Sequence, residues 1–265
     1  GGDVDEDDAH GGDEDATEGA LQRTAKAPLK LKQASAKGKG SAAVVKGVSL
    51  DAYAKYDPAG EATWKAGKPV PYAFLAKVFS EIEEESKRLR ITETLANTLR
   101  SVIAVSPGEL LAAVCLTTNK IAPAYEGLEL GIGDSIMIKA VAETCGRSVE
   151  AIKAQMEEEG DLGKVTLSSR ARQVTLGKPK PLTITGVYSV LRELAGMSGK
   201  DVQTRKKDKI KLMLVAAQGK EAQYIVRALQ GKMRIGLAEQ TVLVALAHAL
   251  VLTPAEVEGG GAEAG

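Results

Sequence analysis

Between residues 227 and 236 the chain sets three cations and two glycines in one short stretch, Arg227-Ala-Leu-Gln-Gly231-Lys232-Met-Arg234-Ile-Gly236. Guanidinium and ammonium groups grip phosphates, and glycines let a foreign backbone come close. The apolar run from 238 opens a helix whose free N–H groups suit the same ligand. A solvated basic rim on a helical corner is the competing reading. A related turn, Leu130-Gly131-Ile132-Gly133-Asp134, precedes another apolar run. It is not a dinucleotide fingerprint, because Ile136 stands where a third glycine would be needed. Arg88 and Arg90 flank Leu89 at an expected helix end, where cations can also offset the helix dipole. Arg170 and Arg172 sit in a Ser/Arg stretch, and Lys206 in Arg205-Lys206-Lys207-Asp208-Lys209. The candidate contacts to an anionic partner are therefore Arg88, Arg90, Gly131, Gly133, Arg170, Lys206, Gly231, Lys232, Arg234 and Gly236.

No constellation for catalysis accompanies them. His10 lies in an acidic stretch, and His248 on an apolar helix reads as a satisfied structural histidine. No His/Cys/Asp spacing suits a metal, and no glycine-rich loop ends in Lys-Ser/Thr. Glu83 to Glu85 and Glu157 to Glu159 read as runs on polar helix faces, without converging carboxylates. With 265 residues the chain suffices for one large domain or two small ones. One Trp, six Tyr and two Phe are too few for a β-sandwich or for the stacking platforms of single-strand binders. Two cysteines exclude a disulfide scaffold, and no apolar run approaches a membrane span.

The formal net charge of zero hides a segregation. Residues 1–20 carry nine acidic side chains and no basic one, and residues 21–47 carry seven basic and no acidic one. Residues 71–163 hold nine basic against fifteen acidic groups, net −6, whereas residues 164–252 hold sixteen against five, net +11. That asymmetry points to an anionic partner for the second half, or to a solvated basic face.

Composition predicts disordered tails at 1–47, acidic and then basic, and at 254–265, with an ordered body over 48–253. Its period is helical. Tyr72, Leu75, Ala76, Phe79, Ile82 and Leu89 form one apolar stripe. Further helices are expected at about 91–105, 107–118, 134–146, 148–159, 184–196, 205–218, 220–229 and 238–251, with N-caps at Asp134 and Ser148 and a stop at Gly160. Only Lys164 to Leu176 looks strand-like. The fold class is all-α. An internal repeat adds a pseudo-two-fold expectation. Leu130-Gly131-Ile132-Gly133-Asp134 aligns with Ile235-Gly236-Leu237-Ala238-Glu239, and Val78-Phe79-Ser80 with Val187-Tyr188-Ser189.

Larger motifs follow in order along the body. They are Trp64-Lys65-Ala66-Gly67-Lys68-Pro69-Val70-Pro71-Tyr72, Ile82-Glu83-Glu84 to Arg88-Leu89-Arg90, Glu93-Thr94-Leu95-Ala96-Asn97 to Leu99-Arg100-Ser101-Val102, and Gly127-Leu128-Glu129-Leu130-Gly131-Ile132-Gly133-Asp134. Gly160-Asp161-Leu162-Gly163, Leu182-Thr183 to Gly186-Val187-Tyr188, and Gly231-Lys232-Met233-Arg234-Ile235-Gly236-Leu237-Ala238-Glu239-Gln240 complete the set. Together they resemble the N-terminal DNA-binding domain of eukaryotic ATP-dependent DNA ligases, most closely the DNA ligase I group, over about 55–253.

The resemblance implies a compact multi-helix domain with internal pseudo-symmetry that binds nicked double-stranded DNA in the minor groove, within a nuclear enzyme of replication and repair. In the family, adenylation and nick sealing belong to nucleotidyltransferase and OB-fold domains that follow this one. This chain stops at Gly265 and is expected to be inactive alone. ATP and Mg2+ are implied only for a full-length member, and no cofactor is expected here. Lys55-Tyr56-Asp57-Pro58 imitates the family's Lys-Tyr-Asp-Gly adenylation motif, but Pro58 replaces the glycine and the segment lies upstream of the domain. A sliding clamp is a partner of the full-length family, although its Gln-plus-paired-aromatic motif is not seen. A monomer without membrane contact is expected. A helical protein-interaction scaffold without DNA binding is the alternative.

Overall fold

The structure, a computed structural model, describes residues 51–171 and 179–253. The expected tails at 1–47 and 254–265, and Arg172, lie outside the described residues. The chain forms α1 (Asp51–Ala54), α2 (Tyr72–Glu84), α3 (Arg88–Val105), α4 (Leu110–Thr118), α5 (Asp134–Cys145), α6 (Val149–Glu159), α7 (Leu162–Arg170), α8 (Ile184–Gly196), α9 (Val202–Ala216), α10 (Lys220–Leu229) and α11 (Glu239–Leu252). Short 3-10 turns precede α4 at Pro107–Glu109 and α5 at Ala124–Glu126. Among the described residues there is no strand, only one antiparallel bridge between Pro71 and Thr183. The all-α expectation holds.

Local chemistry explains the boundaries. The Ser148 side chain accepts from Ala151 N–H, and Thr183 from Gly186 N–H, each satisfying a first-turn donor. Gly160 ends α6 in the left-handed region, and its neighbour Asp161 caps α7 through Gly163 and Lys164 N–H. That cap converts the strand-like Lys164 to Leu176 segment: its β-branched residues up to Arg170 lie in α7, and the remainder runs into undescribed residues. Gly133, not Asp134, is the N-cap of α5, and Asp134 is its first residue. The Tyr72–Leu89 stripe also splits. Helix α2 stops at Glu84, α3 begins at Arg88, and Leu89 is exposed.

The family motifs turn out to be joints. Trp64 donates to Ser106 Oγ at 3.0 Å and meets Phe74 edge-on, which pins the segment leading into α2. Buried Arg100 donates to Asn97 Oδ1, Tyr53 O and Thr253 Oγ1, tying α1 and the end of α11 to α3. His248 is likewise partnered, with its Nδ1 3.1 Å from Tyr53 Oη.

Helix packing is reciprocal. Helix α11 lies on α3 and α5 on α9, while α2 packs against α10 and α4 against α8. In the order α2–α5 and α8–α11, the fourth helix of each set rests on the second of the other, and the first on the other's third. Leu75, Phe79, Leu99, Met137, Leu214 and Tyr224 are among the side chains that fill the resulting core.

Candidate nucleic-acid interface

The two glycine turns are brought together. Gln230, just after α10, donates to Asp134 Oδ1 at 2.9 Å, so the 231–236 turn sits beside the start of α5. Helix α10 closes with paired reverse hydrogen bonds, Gly231 N–H to Ala228 O and Lys232 N–H to Arg227 O, around Gly231 at φ +69°. Gly131 and Gly236 both adopt positive φ, +55° and +63°, and α5 and α11 begin shortly after them. Glycine at these two positions serves the turn itself, so Gly236→Val would disturb the fold as well as any ligand. Gly133 differs: its φ is −78°, and a Cβ there would meet nothing within 4 Å. Neither α5 nor α11 has a side-chain cap. A groove of about 420 Å³ runs between the end of α4 and the 231–238 segment, bordered by Thr117, Asn119, Arg234 and Gly236.

The candidate cations divide by their partners. Lys232 is exposed and makes no side-chain bond to a described residue. Arg234, exposed and at φ +56°, donates to Gly160 O at 2.7 Å. Arg88 is exposed, and Arg90 pairs with Glu93 at 3.0 Å. These two lie in the first turn of α3, not at the end of α2, so the helix dipole opposes them and the dipole explanation of their placement fails. Lys206 is buried, its Nζ donating to Leu130 O at 2.6 Å and lying 3.4 Å from where a Gly131 Cβ would be. It braces the first glycine turn from behind. Arg170 donates to Val215 O and Ala217 O at the end of α9.

Arg227, read from sequence as a cation of the turn, is 1% exposed. Its guanidinium binds Glu83 in a two-bond fork at 2.7 and 2.9 Å, and Asp161 Oδ2 at 3.0 and 2.6 Å. Tyr224 donates to Glu83 at 2.9 Å, and its ring lies under the guanidinium. Glu83 is therefore not on a solvated face, and its run does contribute to a convergence of carboxylates. The Arg227 fork lowers the Glu83 pKa. Burial pushes Asp161 up, but Arg227 and the Gly163 and Lys164 N–H groups outweigh it and hold its carboxyl below the usual range. Gly163 lets α7 approach this cluster, since a Cβ there would lie 2.7 Å from Gln223 O. No spacing rule announces the cluster; only Gly160-Asp161, a helix stop followed by a cap residue, marks one of its members.

The basic half also spends charge internally. Lys207 and Lys211 pair with Glu143, Arg192 with Glu126, and Lys220 with Glu84. Part of the segregation read from sequence is thus one half of the fold attracting the other.

Among the described residues, no group of His, Cys, Asp and Glu could hold a metal ion, and no helix is long and apolar enough to cross a membrane. The segment at Lys55 directly follows α1. Tyr56 Oη lies 2.7 Å from Ser101 Oγ, Asp57 accepts from Ala59 N–H, and Lys55 is exposed.

The helical body thus sets two glycine turns beside exposed cations. Residues 71–247 match the family model described as DNA ligase N terminus, and the chain belongs to that family. It is 46% identical over 225 residues to DNA ligase 1 of Dictyostelium discoideum, covering 85% of this chain and 19% of that protein. Against DNA ligase 1 of Arabidopsis thaliana it is 46% identical over 196 residues, 74% of this chain and 25% of the relative. Against DNA ligase 1 of Saccharomyces cerevisiae it is 42% identical over 184 residues, 69% and 24%. The chain spans about a fifth to a quarter of the length of these relatives.

Proposed function

We propose that this domain binds nicked double-stranded DNA through the minor groove, without sequence preference, as the DNA-binding part of an ATP-dependent DNA ligase of nuclear replication and repair. The observation that carries the reading is the Gln230–Asp134 hydrogen bond, which joins the two glycine turns beside exposed Lys232 and Arg234. Backbone N–H groups at the uncapped starts of α5 and α11 supply donors, and Lys232, Arg234, Arg88 and Arg90 supply charge to flanking phosphates. Gly131, Gly133, Gly231 and Gly236 keep side chains out of the approach, while Lys206 braces the Gly131 turn from behind and Arg170 ties α7 to the end of α9. The reciprocal helix packing supports reading the halves as an internal two-fold that grips the duplex on both sides. Minor-groove contact of this kind carries little base information, which suits an enzyme that seals nicks anywhere. The domain acts as a monomer, holds no ATP or Mg2+ of its own, and leaves adenylation to the rest of a ligase.

Titration of a mixed-sequence nicked duplex at several salt concentrations tests this. Affinity should fall steeply with salt and be equal for unrelated sequences. Gly133→Val is the cleanest steric probe, since the fold itself leaves that space open. It should cost about 0.5–1 kcal/mol of stability at the N-cap while weakening binding well beyond that. Salt-independent binding, or an unaffected Gly133→Val, would overturn the reading.

A further inference from the structure

The feature that duplex contact leaves unexplained is the buried Glu83–Arg227–Asp161 cluster. As a stabilising device it is a poor choice, because desolvating charged groups offsets much of their attraction, and apolar residues of similar volume often serve as well. Its geometry suits another task. Arg227 stands in the last turn of α10, Glu83 near the end of α2, and Asp161 between α6 and α7, so one guanidinium joins three parts of the chain. Three consecutive residues of the turn then hang from this joint. Lys232 N–H donates to Arg227 O at 2.9 Å, Met233 O accepts from Arg227 Nη1 at 3.4 Å, and the Arg234 guanidinium reaches Gly160 O, next to Asp161.

We propose that Arg227, locked by Glu83 and Asp161, is a positioning residue for duplex binding: it never touches DNA, but fixes the 231–236 turn so that Lys232 and Arg234 reach phosphates together. The proposal rests on the reading of that turn as a duplex contact. An arginine is needed because only its planar fork can bind Glu83 with two bonds and still reach Asp161 and Met233. Lysine at 227 would keep the charge and lose the fork.

The test uses the full chain with Arg227→Lys and, as a milder change, Glu83→Gln at the cluster's partly exposed edge. Leu194→Ala, in the core at α8, serves as a control that destabilises without touching the cluster. Hydrogen exchange of the peptide spanning 229–238 reads the turn directly, and salt-dependent binding of a nicked duplex reads its consequence. Both cluster variants should keep their helical signal and exchange the turn amides faster. For each phosphate that the loosened turn no longer grips, binding should weaken about fivefold at 0.15 M salt and the salt slope should become shallower by about one. The control should change neither turn exchange nor slope. Cluster variants that behave like the control overturn the proposal, as does faster turn exchange with unchanged affinity. If Lys232→Ala with Arg234→Ala still weakens binding in that case, only the positioning role fails. If that pair is silent too, the duplex reading itself has failed.

Discussion

Lys232→Ala combined with Arg234→Ala removes two exposed cations from the turn beside α5. The folding cost should be small. Lys232 gives up no bond to a described side chain, and Arg234 gives up one exposed hydrogen bond to Gly160 O, about 0.5–1 kcal/mol. Alanine inherits the same φ of +56° at position 234, so the backbone strain there is unchanged. The binding cost should be much larger. Each gripped phosphate releases about 0.9 counterion, so freeing two phosphates makes log Kd less steep in log salt by about two, and weakens binding about 30-fold at 0.15 M salt. That is about 2 kcal/mol, and it should be the same for every duplex sequence because no base edge is involved. Fluorescence anisotropy with a nicked duplex, repeated across a salt series and on two unrelated sequences, measures both quantities. An unchanged slope would refute the reasoning even if affinity fell, since it would mean that the turn's shape matters and its charge does not. A loss confined to one sequence would refute it as well.

Gly163→Ala should lower stability by about 1–3 kcal/mol, because the new Cβ meets the Gln223 carbonyl at 2.7 Å and backbone cannot yield as a side chain can; an unchanged thermal midpoint would show that α7 and α10 can part freely. Glu221 is buried, and burial raises its pKa although Gln218 and Ala73 N–H groups bond its carboxylate. A raised carboxylate pKa destabilises the fold above that pKa and ceases to do so as pH falls through it, so Glu221→Gln should stabilise at pH 7 and progressively less toward pH 4, as thermal melts across that range will report. Removing residues 1–47, whose composition offers little to a core, should leave stability within about 0.5 kcal/mol; a cooperative loss of helical signal would place part of the core in that segment.

The sequence was most legible where a local rule decides the outcome. Helical period located the elements, Ser148 and Gly160 marked ends of α6, and the motifs from Trp64 to Gln240 carried the family. Local rules fall short where a distant residue decides. Glu83 and Arg227 each read as surface charges, because nothing near either one in sequence says that they meet across the fold. Leu89 continued the spacing of the α2 stripe, yet a bend at Glu85–Lys87 turns it outward. Lys206 looked like one more lysine in a basic run, and only the tertiary fold sets it against Leu130 O. At the interface, the glycine turns were visible beforehand, but their meeting through Gln230 and Asp134 required the folded chain.

The reciprocal packing has a kinetic consequence. One face of α3 is covered by α11, which lies about 150 residues further along the chain. A ribosome adding roughly 5–20 residues per second leaves that face waiting on the order of ten seconds for its cover. Helix α9 meets α5 sooner, but neither set of four helices holds a finished core until the other has emerged. The nascent domain therefore exposes a sticky surface for most of its own synthesis, and it should engage holding chaperones until α11 is free to dock.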